Sequence, residues 1–110
     1  MSDLAQRAMA SKHWRRPPGE FETMALYTFP GGGVAVPDFE ACEWYWRGWL
    51  LELVRERWGH RAKHEVSVEP YGDGWAVIQR TVGTGLSGLS DIRSRKGTEL
   101  ECLVAALVAP

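Results

Sequence analysis

Strong charge of either sign is missing from this sequence. Thirteen basic and fourteen acidic side chains give a formal net charge of -1. That removes the global pull toward phosphate expected of a dedicated nucleic-acid coat or tail and leaves only local basic patches to consider. Long apolar runs are missing too. No stretch approaches the roughly 18 consecutive apolar residues of a spanning helix, and Asp3, Gln6 and Arg7 interrupt the region where a secretory leader would need an unbroken apolar core. The expectation is a cytoplasmic protein with no membrane partner. Cysteine is scarce: Cys42 and Cys102 stand far apart on apolar faces and are expected to be reduced, unpaired core side chains. There is no CxxC and no HExxH, so no metal and no cofactor is expected. Internal repeats are absent, and 110 residues leave room for one domain, residues 1–110, and exclude a two-domain enzyme.

Hydrophobic residues at 45% and charged residues at 25% lie in the ordinary globular range, so the chain should fold. Tryptophan is the anomaly, with Trp14, Trp44, Trp46, Trp49, Trp58 and Trp75. A short helix is predicted from Ser2 to about Lys12, with Ser2 as N-cap and Leu4, Ala8 and Ser11 on one face. Pro17 and Pro18 make the next stretch a connector. Phe21 to Phe29 and Val34 to Val36 read as a hairpin around Gly31, Gly32 and Gly33. Asp38 is the expected cap of a long helix from Phe39 to Trp58, ended by Gly59 in a left-handed conformation.

Beyond that helix, His64 to Glu69 and Trp75 to Val82 alternate around the turn from Pro70 to Gly74 and predict a second hairpin, with Trp75 and Val77 inward. Gly83 to Gly97 reads as an exposed loop. Thr98 and Glu101 form a capping box ahead of a terminal helix with Leu100, Leu103, Val104, Leu107 and Val108 on its stripe. The order predicts an α+β, two-layer domain in which antiparallel hairpins form one sheet with helices packed on one face.

At 100° per residue the long helix carries two apolar faces. Phe39, Cys42, Trp46, Trp49, Leu50 and Leu53 form one, the expected core. Trp44, Leu51 and Trp58 recur every seven residues on the other, with Arg47, Gly48 and Arg55 beside them. Either the N-terminal helix or the long loop covers this second stripe, or it is a partner surface, since Trp and Arg are enriched at interface centres.

Motifs for chemistry are weak. Gly83-Thr84-Gly85-Leu86-Ser87-Gly88 matches GxGxxG in letters, but it lacks the helix and returning parallel strand of a dinucleotide fold. Ser87 has no activating His-acid pair and misses the nucleophile elbow. His60 and His64 stand four apart, a spacing that could pair two imidazoles on one helical face, but both lie beyond the predicted helix end at Gly59 and read as surface residues. Glu20, Glu22 and Glu40 form no identifiable acid-base couple. No catalytic residue is assigned, and a non-enzymatic role is expected. Two basic clusters, Lys12 to Arg16 around Trp14 with Arg15 and Arg16, and residues 93–96 with Arg93, Arg95 and Lys96, offer phosphate and base-stacking contacts in segments read as flexible.

Residues 38–59, with Gly48-Trp49-Leu50-Leu51-Glu52-Leu53-Val54-Arg55-Glu56 at their centre, resemble the helix written G-C-L-L-A-L-V-R-E in many small phage and prophage proteins. Residues 97–107 look like the terminal T-E-A-E-A-L-V-A-A-L of the same proteins, and Gly72 to Val77 resembles their G-W-x-V strand. The aromatic-rich Glu43-Trp44-Tyr45-Trp46 and the stretch from Gly83 to Gly97 depart from that pattern. The resemblance implies a phage-encoded accessory protein and supplies no catalytic residue. Such proteins often act by occupying a host protein, inhibitors of host defence of the anti-CRISPR kind included. The expected function is therefore host-protein binding in the host cytoplasm through Trp44, Arg47, Leu51, Arg55 and Trp58, which would equally serve a homodimer. The alternative is a small nucleic-acid-binding module using the clusters at 12–16 and 93–96.

Overall fold

The computed structural model describes residues 2–19, 26–29, 35–59, 64–81 and 90–110. Among these lie three helices, α1 (Ser2–Ala10), α2 (Glu43–Trp58) and α3 (Glu99–Val108), and five strands, β1 (Tyr27–Thr28), β2 (Val36–Pro37), β3 (His64–Tyr71), β4 (Gly74–Thr81) and β5 (Ser90–Lys96). The class is α+β, with helices packed against sheet. The strands fall into two antiparallel sheets rather than joining in one: β1 pairs with β2, and β4 lies between β3 and β5. The glycine turn, and the Phe21 to Ala25 part of the first expected strand, lie outside the described residues.

The β3–β4 hairpin follows the alternation. Tyr71 pairs with Gly74, leaving Gly72 and Asp73 as the two-residue turn. Gly72 takes φ 58, which favours a residue with no Cβ. Val66, Val68, Trp75 and Val77 face the helices and join the core.

The stretch expected as a loop from Gly83 to Gly97 is corrected in its second half. Residues 90–96 pair with β4 as an edge strand. Six of the seven are polar or charged, as suits an edge held by backbone bonds, and their side chains therefore carry no apolar alternation to read. Residues 83–89, with the GxGxxG letters and Ser87, lie outside the described residues.

Helix α2 begins later than expected. Asp38 caps a preceding turn, its Oδ1 accepting from the Ala41 amide at 3.0 Å, and the helix starts after Cys42, whose carbonyl accepts from the Tyr45 and Trp46 amides. Gly59 ends it, though not in the left-handed region: its φ is -91. A Cβ on Gly59 would meet the Arg55 carbonyl at 2.6 Å, so close approach explains the glycine there.

At α3 the cap forms as expected, Thr98 Oγ1 accepting from the Glu101 amide at 3.2 Å while its hydroxyl donates to the Glu101 carboxylate at 2.8 Å. Cys102, Leu103, Val104, Ala106 and Leu107 are buried because α3 lies between α2, α1 and the sheet. The core is completed by Ala5 and Ala8 of α1, Trp46, Leu50, Leu53 and Val54 of α2, and Leu26, Tyr27, Val36 and Phe39 around the small sheet. Both thiols are free.

Candidate aromatic groove on helix α2

The second stripe of α2 meets different neighbours along its length. Arg47 Nη1 donates to Glu99 at the start of α3, at 2.7 Å. That bond, ahead of the charge attraction, raises the Arg47 pKa. Near the other end, Trp58 Nε1 donates to the Ala106 carbonyl at 3.0 Å. The two helices therefore run in the same sense along this contact, and α3 covers the stripe from Arg47 onward. Leu51 is half-buried against the core, and Arg55 Nε donates to the Val66 carbonyl of β3 at 3.0 Å. Trp44 lies almost one turn before α3 begins, and it is 71% exposed.

Of the five residues expected to form a partner surface, Arg47, Leu51, Arg55 and Trp58 thus meet neighbouring elements, although Arg55 stays exposed, as Trp44 does. The cluster around Trp58 is dense. The Arg57 and Arg93 guanidiniums each lie 4.3 Å from its ring centre, and buried Gln79 donates to the Trp58 carbonyl at 2.6 Å while accepting from Arg93 Nε at 2.7 Å. Burial first, and Arg93 second, pull the Arg57 pKa below its usual value.

The basic run at 93–96 is not a flexible cluster. The register shift between Val77 and Ile78 inserts a residue in β5, so that Arg93 and Ser94 both reach the helix side: Arg93 to Gln79, and Ser94 Oγ to the Cys102 carbonyl at 2.7 Å. Arg95 lies over Tyr71, 4.6 Å from its ring centre, and Lys96 is exposed at the strand end.

The first basic cluster is docked as well. Trp14 stacks on Trp46 with centroids 6.0 Å apart. Arg15 pairs with Glu56 and lies 4.9 Å from the Trp49 ring centre, and its carbonyl accepts from Trp49 Nε1 at 2.7 Å. Arg16 sits 5.0 Å from the Tyr27 ring centre, and Pro17 is buried. Trp49, expected in the core, is instead half-buried beneath this segment.

Docking of residues 14–18 on α2 creates a feature the sequence reading missed. Pro18, Trp44, Tyr45, Gly48, Trp49 and Glu52 line an open groove of about 430 Å³. Residues four apart are neighbours on a helix surface, so Trp44, Gly48 and Glu52 form one row and Tyr45 and Trp49 the next. Gly48, with no side chain, is the gap between the two rows. A glycine in mid-helix between large aromatics was the available signal.

Among the described residues no three His, Cys, Asp or Glu side chains converge as a metal site, and no helix is long and apolar enough to cross a membrane. His64 begins β3, and His60 lies outside the described residues. Glu40, in the turn before α2, lines an open cavity with Asp3, Arg7, Glu43 and Glu101; Glu20 and Glu22 lie outside the described residues. Comparison of the chain with family models, with curated proteins and with solved structures finds no match.

Proposed function

We propose that this chain is a non-enzymatic protein-binding domain whose contact surface is centred on Trp44. The observation that supports this reading is the exposure of Trp44, 71%, at the wall of an aromatic groove. An indole left in water forgoes most of the gain from burial, and Trp is enriched where interfaces concentrate their energy. The finer reading, a phage-encoded accessory protein that occupies a host protein such as a component of CRISPR defence in the host cytoplasm, is supported by the resemblance of residues 38–59 and 97–107 to phage and prophage proteins.

The nucleic-acid alternative has less support, since Arg15, Arg16, Arg93 and Arg95 are all engaged within the chain. Capture from host lysate separates the two. The protein-binding role predicts a protein retained by the wild-type chain as salt rises from about 50 to 200 mM and released from an equally folded Trp44→Ala. Retention of nucleic acid that falls about 1,000-fold over that range would instead support the alternative.

A further inference from the structure

The groove beside Trp44 continues a site that this chain already fills with its own residues. The segment Trp14-Arg15-Arg16-Pro17-Pro18 shows what α2 accepts. An indole N–H holds a backbone carbonyl, Trp49 to Arg15 at 2.7 Å. The same ring carries a guanidinium that a carboxylate, Glu56, neutralises, and a proline is buried alongside. These are the contacts by which aromatic surfaces hold extended basic, proline-containing chains. Such chains present carbonyls without internal hydrogen bonds and lose little entropy on binding.

Past the buried Pro17 the helix surface opens: Pro18, Trp44, Gly48 and Glu52 are all exposed. Nearer the start of α2, Trp44 and Glu52 lie on the row that passes through Gly48 and again set an indole and a carboxylate along one groove. Among the described residues Glu52 is the one charged side chain lining the groove, so its charge favours a cationic ligand. Trp44 offers both an indole donor and a face for a guanidinium.

Gly48 supplies a second, independent observation. A Cβ placed on it meets nothing within 4 Å, and glycine inside a helix is less stable than alanine. Packing among the described residues therefore gives no reason for a glycine there. A proline ring or an extended backbone lying between the Trp44 and Trp49 rows does.

We propose that the Trp44–Gly48–Trp49 groove binds an extended, arginine- and proline-containing segment of a partner protein, laid beside the chain's own Arg15–Pro18 segment. The proposal rests on the protein-binding reading and names the partner's chemistry.

The test is calorimetric titration of the full chain with a synthetic peptide of four Arg-Pro-Pro repeats, against Glu-Pro-Pro and Arg-Gly-Gly peptides of equal length and a single-stranded thymidine oligonucleotide. Saturable binding of the Arg-Pro-Pro peptide is expected, at least about tenfold tighter than either control peptide and weakened about tenfold or more by Trp44→Ala, Glu52→Lys and Gly48→Leu. Gly48→Leu fills the gap while improving helix propensity, so its melting temperature should not fall, and lost binding then reads the groove rather than the fold. Equal binding of the Glu-Pro-Pro peptide, preference for the oligonucleotide, or a Gly48→Leu variant that binds unchanged would overturn the proposal. A protein captured from lysate and released by Trp44→Ala, with no binding of the Arg-Pro-Pro peptide, would overturn this inference and leave the protein-binding role standing.

Discussion

Trp49 grips Arg15 twice: its indole N–H donates to the Arg15 carbonyl at 2.7 Å, and its ring lies 4.9 Å from the same residue's guanidinium carbon. One side chain thus fixes both the backbone and the charge of the segment that walls the groove. Trp49→Phe keeps a ring but removes the donor. It should cost about 1 kcal/mol of stability and speed proteolytic cleavage between Arg15 and Arg16, measured by thermal melts and limited trypsin digestion.

Trp46 should behave quite differently. It is fully buried and meets the rings of Trp14, Tyr27, Phe39 and Tyr45 within 6.0 Å between centroids. Truncation to alanine should remove about 3–5 kcal/mol, read by denaturant unfolding, because the surrounding rings cannot all collapse into the space.

Thr98→Ala should destabilise the domain by about 1 kcal/mol through loss of the bond from the Glu101 amide. Thr98→Ser, which keeps the hydroxyl, should recover most of that loss in the same melts.

The outer face of the three-stranded sheet carries an acid-sensitive contact. Glu69 accepts from Arg80 Nη2 at 3.1 Å and from Ser67 Oγ at 2.6 Å. The Arg80 bond first, and Ser67 second, hold its carboxyl down to about 2 from the ordinary 4.5. A folded-state pKa below the unfolded one means that the unfolded chain binds the proton first. This contribution is therefore fully present above pH 4.5 and is lost as pH falls from there toward 2. Glu69→Gln should flatten the stability profile across that window, measured by denaturant midpoints at stepped pH.

Most of the fold could be read from local signals. The Thr98 and Glu101 cap and the run of apolar residues behind it mark α3, and alternation around Pro70 to Gly74 marks the β3–β4 hairpin. Strand β5 escaped because an edge strand of Ser, Asp, Arg and Lys shows no apolar period, and only its pairing with β4 defines it. The stripe on α2 was found by angle alone, which does not reveal where a neighbouring helix begins. Since α3 starts opposite Arg47, the repeat that unites Trp44, Leu51 and Trp58 in sequence divides into one exposed and two covered residues. Trp49 reads as core from the helix angle because residues 14–18 read as a connector, with no signal in sequence that they dock on α2.

Trp44 is the side chain on which the protein-binding role turns, and the decisive measurement is the melting temperature and partner affinity of Trp44→Ala taken on the same preparation. The predicted result is a melting temperature within about 2 °C of wild type, with affinity for the captured partner lower by about tenfold or more. A variant that unfolds as badly as Trp46→Ala, or one that stays folded and binds as tightly as wild type, would contradict it.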